Sequence, residues 1–177
     1  MGLDIFFRRR KNTNAAIERA LDKFYDSFSE NTPVGRVREL ANELGIADRL
    51  DIEQKEYNGT PYVTAYRNDI DECGYMRKHN HLVSYFGYED NCSDKPVSRE
   101  ALEAFVLDAT KVLEHYGKDD FSEVAENLVP CEQGFFFGSY DYDEWYKEEL
   151  EDDIRIFKEI ISGTDWNSDI VVMHCWW

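Results

Sequence analysis

The chain contains no long apolar run. Nothing in it approaches the roughly 20 consecutive apolar residues that a membrane-spanning helix requires, so no membrane partner is expected. The opening MGLDIFFRRRK sets only Ile5, Phe6 and Phe7 before its basic cluster, too short a patch for a signal peptide. Gly2 follows Met1, but position 6 is Phe6, where a myristoylation signal needs Ser or Thr. Bases are scarce: 20 stand against 37 acids, for a net charge of -17. The imbalance is concentrated in residues 101–177, which carry nineteen acids and five bases, whereas residues 1–50 carry eight and nine. Such a surface repels nucleic acid and anionic lipid. It suits a basic protein partner, a bound cation or plain solubility. The four cysteines, Cys73, Cys92, Cys131 and Cys175, stand singly. Without an export signal they are expected as reduced thiols, which places the chain in a cytoplasm.

Recognised catalytic and nucleotide motifs are missing too. There is no HExxH, paired CxxC, EF-hand loop, P-loop or GxGxxG. Gly138-Ser139-Tyr140 lacks the second glycine of a nucleophile elbow. No internal repeat, low-complexity tract or linker interrupts the chain.

What is present is ample material for a core. With 42% hydrophobic and 15% aromatic residues, the 177 residues suit one globular domain, 1–177. Residues 3–9 read as a strand. Ile17, Leu21, Phe24 and Phe28 recur at helical steps over 14–29, with Thr13 or Asn14 to cap. A second helix follows Thr32-Pro33, buries Val34, Val37, Leu40, Ala41 and Leu44, and stops at Gly45. Residues 50–57 and 61–67 face each other across Asn58-Gly59, a hairpin signal whose loop is expected to exceed two residues because Thr60-Pro61 follows. Residues 73–77 extend the sheet, and 79–88 turn helical. Ser98 opens a helix to Tyr116, and 121–128 forms a short one with Asp120 and Glu123 at capping-box spacing. A strand at 134–137 leads into a helix over 142–162 that buries Tyr146, Leu150, Ile154, Phe157 and Ile161. Residues 169–175 form a last strand. These elements make an α+β fold, a small, mostly antiparallel sheet covered by several helices.

The chain is organised around Gly134 to Tyr146, GFFFGSYDYDEWY. Together with the N-terminal MGLD and GYMRKHNHLVSYF at 74–86, this block resembles an uncharacterised family of small bacteriophage and prophage proteins. The likeness covers the N-terminus, both blocks and the acidic helix. At Tyr75 and Met76 relatives are expected to carry a bulkier aromatic pair. The resemblance implies a phage or prophage setting and the cytoplasm of a bacterial host. It implies no reaction, and the sequence assigns neither a cofactor nor an oligomeric state.

Three constellations carry the candidate chemistry. In Gly134–Tyr146 the glycines admit a close-approaching ligand or backbone, or simply mark a turn. Asp141 and Glu144 have capping-box spacing for the helix that follows. In the second, Arg77-Lys78-His79-Asn80-His81, the two histidines share one face if the segment is extended and diverge if it is helical. With Asp141, Asp143 or Glu144 nearby a His-His-carboxylate metal site is chemically sensible, but no recognised ligand spacing supports it and no metal is assigned. A hydrolase of the phosphoester class would use His79 or His81 as acid or base, Arg77 or Lys78 on the phosphate, and Asp143. His174 is a further acid–base candidate or, more simply, a hydrogen-bonded core residue.

The third constellation is the acidic helix. Glu144, Glu148, Glu151, Asp152 and Glu159 fall opposite its apolar stripe. They form a solvated face or a row that imitates nucleic-acid phosphates, with Tyr140, Tyr142, Trp145 and Tyr146 near as anchors. Trp176 and Trp177 either meet a partner or fold back. The sequence favours a non-catalytic, acidic binding protein acting on a basic host protein through Tyr140, Asp141, Glu144, Trp145, Glu148, Glu151 and Asp152. The alternative is a metal-dependent or acid–base hydrolase, or a small-ligand-binding protein, using Arg77, His79, His81 and Asp143.

Overall fold

A computed structural model describes residues 2–89, 91–134 and 137–177. The fold is α+β, and the described residues form six α-helices, a four-stranded antiparallel sheet and a two-stranded ribbon. By its internal packing the chain divides into two compact units, residues 1–10 with 71–177 and residues 11–70.

The smaller unit holds helices α1 (Ala15–Asp26) and α2 (Val34–Glu43) and strands β2 (Leu50–Tyr57) and β3 (Thr60–Arg67). Asn14 caps α1, its Oδ1 accepting from the N–H groups of Ala16 and Ile17 at 3.0 and 3.1 Å. Pro33 is the residue just before α2 rather than its first residue, and Gly45 ends the helix at φ +70°. The hairpin loop is two residues, shorter than the sequence suggests. Asn58 (φ +50°) and Gly59 (φ +78°) both take the left-handed conformation, so Thr60 pairs directly with Tyr57 and Pro61 with Glu56. Leu21, Phe24, Val37, Ala41, Ile46, Leu50 and Val63 form the core of this unit. Arg67 binds both oxygens of Asp69, at 2.8 and 2.9 Å, and reaches Glu18 at 3.2 Å. Its hydrogen bonds outweigh the effect of burial and hold the Asp69 carboxyl below its ordinary range.

In the larger unit, β1 (Asp4–Lys11), β4 (Ile70–Arg77), β5 (Asp94–Val97) and β6 (Asp169–Trp176) form a sheet of order β4-β1-β6-β5. Strand β5 is too short and polar to register as a strand in the sequence. Its only apolar anchor pairs are Pro96 with Val172 and Val97 with Val171. The two central strands turn alternate residues inward, Leu3, Ile5 and Phe7 before and along β1, and Val171, Met173 and Cys175 in β6. Helices α3 (Asn80–Tyr85), α4 (Arg99–Glu114), α5 (Phe121–Leu128) and α6 (Glu144–Gly163) complete the unit. The side chains of Phe7, Phe86, Phe105 and Phe157 meet mostly edge to face, with ring centroids 4.9 Å apart for Phe7–Phe157 and 5.0 Å for Phe105–Phe157.

Caps differ from expectation in two places. Asp143, not Asp141, caps α6, its Oδ1 accepting from the Tyr146 N–H at 3.1 Å. Asp141 is held instead by Ser139. Asp120 makes no side-chain cap on α5 because it pairs with His115 at 3.0 Å. The strand expected at 134–137 lies partly outside the described residues. At its ends, Phe137 N–H donates to the Gly134 carbonyl at 3.1 Å, a turn rather than a ladder contact. The four cysteines are free thiols. Burial pushes Cys73 up to about 11 and Cys131 and Cys175 up to about 12, which leaves these three unreactive near neutrality. Among the described residues no helix is long and apolar enough to cross a membrane.

Candidate functional site

The two blocks singled out in the sequence pack against one another. Strand β4 ends at Arg77, and Lys78 then adopts φ +67°, unusual for a residue with a Cβ. Its N–H donates to the Leu3 carbonyl at 2.8 Å, which fixes this turn to the start of the sheet. Across from it lies Gly138, at φ +98°, where an added Cβ would stand 3.3 Å from the Lys78 Cβ. Asn80, 2% exposed, completes the join. Its Nδ2 donates to the carbonyls of Phe137 at 3.2 Å and Ser139 at 2.7 Å. The glycines of GFFFGSY therefore serve a close backbone-to-side-chain approach. At Gly134 an added Cβ would fall 2.7 Å from the Phe137 ring.

The same turn aims both histidines inward. His79 precedes α3 with ψ 69° and so is not helical, while His81 is the second residue of the helix. The divergence expected of a helical segment does not arise, because the chain bends between the two. Both reach one carboxylate: His79 Nδ1 lies 2.7 Å from Asp153 Oδ1, and His81 Nε2 lies 2.6 Å from Asp153 Oδ2. The side chains of Asp153 and His81 are fully buried, and that of His79 is 13% exposed. Glu149, one turn earlier on α6, places Oε2 3.8 Å from His81 Nδ1. Phe105 stacks on the His81 ring, and Tyr146 meets it edge-on.

Electrostatics follow from this enclosure. For Asp153 burial alone would raise the pKa, but His79 and then His81 outweigh it and hold it below the ordinary carboxylate value. For His79 burial alone would lower the pKa, and Asp153 outweighs it, so that the imidazole is more basic than usual. Glu149 is raised, chiefly by its own burial, although both histidines pull the other way. Two imidazoles and one carboxylate offer ligand atoms within 4.8 Å of one another, a group able to hold a metal ion.

Of the four residues named for a hydrolase, only His79 and His81 meet here. Arg77 points toward Asp4 at 3.7 Å, with its side chain 56% exposed, and Asp143 is the cap of α6. His174 is neither in the core nor with the other histidines. It faces its cross-strand partner Asp94, with Nδ1 2.9 Å from Oδ1.

Asp153 and Glu149 are the residues that sequence reasoning missed. The buried side of α6 is Tyr146, Leu150, Asp153, Phe157 and Ile160, whereas Ile154 and Ile161 are only partly buried. One acid standing inside an apolar 4-3-4-3 stripe is the signal that would have found Asp153.

On the opposite side of α6, Glu144, Glu148, Glu151, Asp152 and Glu159 are all exposed. Lys147 pairs with Glu151 at 2.9 Å, and Arg155 pairs with Asp152 and Glu159 at 3.3 and 3.4 Å. Glu144 and Glu148 make no ion pair among the described residues. Between them stands Trp145, 73% exposed, with Tyr140 (43%) and exposed Asp141 in the preceding segment. Tyr142 and Tyr146 instead turn toward the core. At the C-terminus Trp176 is exposed, while Trp177 folds back onto Tyr88 and Phe137.

Comparison with protein-family models, curated proteins and solved structures finds no match for this chain.

Proposed function

We propose that the protein acts by binding rather than by catalysis, and that the outer side of α6 with the segment before it engages a basic surface of a host protein. The setting is the one the sequence resemblance implies, a phage or prophage product in the cytoplasm of a bacterial host. The observation that carries this reading is the exposure of Trp145 between Glu144 and Glu148, two acids without an ion pair among the described residues. An indole among carboxylates fits a Lys- or Arg-rich surface. The acids attract and orient it, and the ring supplies buried area and a cation–π contact. Glu151 and Asp152 extend the row but are already paired with Lys147 and Arg155, so they contribute less. Tyr140 and Asp141 continue the surface toward Gly134. The hydrolase alternative is less well supported, because Arg77 and Asp143 are engaged away from the histidines and two of the three clustered side chains are closed to solvent.

The test is capture from a bacterial host lysate by the wild-type chain and by a variant carrying E144K and E148K. A basic protein retained at low salt, released at high salt and absent from the variant's eluate supports the reading. Equal retention by both chains contradicts it.

A further inference from the structure

We infer that His79, His81 and Asp153 form a binding site for one first-row transition-metal ion, Zn²⁺ by preference, with Glu149 as the carboxylate behind His81. This inference is independent of the surface on the other side of α6.

The donor set is the first argument. Two imidazole nitrogens and one carboxylate oxygen, all within 4.8 Å of one another, suit Zn²⁺ and its neighbours. Mg²⁺ and Ca²⁺ prefer oxygen alone. Tetrahedral ligands on Zn²⁺ stand roughly 3.4 Å apart, as bond lengths of about 2.1 Å require. The two contacts to Asp153, 2.7 and 2.6 Å, would thus open by about 0.7 and 0.8 Å to admit the ion. Of the three side chains only that of His79, 13% exposed, is reached by solvent.

Hydrogen positions are the second argument. With neutral rings and no ion, His79 donates Nδ1–H and His81 donates Nε2–H to Asp153. That tautomer leaves His81 Nδ1 as a bare lone pair. The atom is buried without a hydrogen-bond partner, and it faces Glu149 Oε2 at 3.8 Å, acceptor against acceptor. A cation on Nε2 reverses this. The ring proton moves from Nε2 to Nδ1, and Glu149 Oε2, 3.8 Å away, has to close by about 0.8 Å to accept it. A ligating histidine that donates its other N–H to a carboxylate is the usual outer arrangement of such sites. An added proton would also satisfy Nδ1, turning His81 into an imidazolium between two carboxylates. It is the competing occupant, and the experiment separates the two.

Chain stripped with chelator is titrated with ZnCl₂, CoCl₂ and MgCl₂. The expected result is one equivalent of Zn²⁺ or Co²⁺ per chain, visible Co²⁺ absorption, and a Tm that climbs with Zn²⁺ concentration but ignores Mg²⁺. His79→Gln, at the partly exposed position, should stay folded and bind at least tenfold more weakly. Glu149→Gln should weaken binding by roughly 10-fold or more, the effect typical of an outer-shell partner. A wild-type chain that takes up neither ion stoichiometrically, and whose Tm responds to pH but not to metal, overturns the proposal in favour of the proton. Uptake that is unchanged in His79→Gln also overturns it, by placing the ion elsewhere.

Discussion

His81 Nε2 and Asp153 Oδ2 meet at 2.6 Å, and solvent reaches neither side chain. A carboxylate so enclosed is tolerable because ring nitrogens of His79 and His81 lie within hydrogen-bond distance of its two oxygens. Asp153→Ala should therefore cost about 3 to 5 kcal/mol, the range for removing one partner of a buried ionic group. Chemical denaturation of the purified variant measures it. A loss below about 1 kcal/mol, the size of an exposed pair, would mean that the cluster does not hold the fold.

The same cluster sets a pH window. His79 has a folded-state pKa above its ordinary 6.5, so its contribution is complete below that value and is lost as pH rises through the folded pKa. Asp153 has a folded-state pKa below its ordinary 3.8, so its contribution is complete above that value and is lost as pH falls through the folded pKa. Stability without added metal should peak between the two ordinary values and decline on both sides. Tm measured across pH 3 to 9, compared with the same series for His79→Gln, checks the alkaline side: the variant should lose the decline that His79 causes.

Asn80 ties the two sequence blocks together. Asn80→Ala leaves the carbonyls of Phe137 and Ser139 without their donor and should destabilise by about 1 to 3 kcal/mol. Gly138→Ala should cost a comparable amount through a different cause, since it puts a side chain at φ +98° and crowds Lys78. Hydrogen exchange should show both losses first in residues 137–146, ahead of the sheet.

Gly74 lies under α6. An added methyl would stand 3.0 Å from Ile156 Cγ2, 3.3 Å from Ile160 Cδ1 and 3.4 Å from Phe7 Cβ. Gly74→Ala should overpack this contact and cost about 1 to 3 kcal/mol by denaturant titration. An unchanged midpoint would show that α6 can shift on the sheet.

Most of the element order is legible in the sequence because local signals and tertiary packing agree. Asn14 and Ser98 cap where expected, Gly45 follows the end of α2 at positive φ, and Asn58-Gly59 closes a hairpin, although α4 ends at Glu114, two residues short of Tyr116. What was illegible depends on contacts far apart in the chain. Strand β5 exists because β6 pairs with it, and no periodicity in four residues announces that. Asp120 had the spacing of a cap, but His115 claims it first. The histidines were legible as candidates, and their carboxylate was not. A helical wheel set one position off puts Ile154 and Ile161 inward and hides Asp153 among the surface acids. The bend at Lys78 that brings His79 and His81 together follows from the Leu3 and Gly138 contacts, which no local pattern encodes.

The exposed row on α6 is the surface proposed to meet a partner. Trp145→Ala removes a side chain that is 73% exposed, so Tm should be unchanged while partner retention falls. Lost stability in that variant would assign Trp145 to the fold instead.

The most direct test is the affinity of the retained host protein for the wild-type chain and for a variant with E144Q and E148Q, each measured at two salt concentrations with the fold verified by circular dichroism. The account predicts weaker binding by the variant at low salt and a shallower loss of affinity as salt rises, because the two acids that attract the partner are gone. Equal affinity and an equal salt dependence would contradict it, and would remove the outer side of α6 as the binding surface.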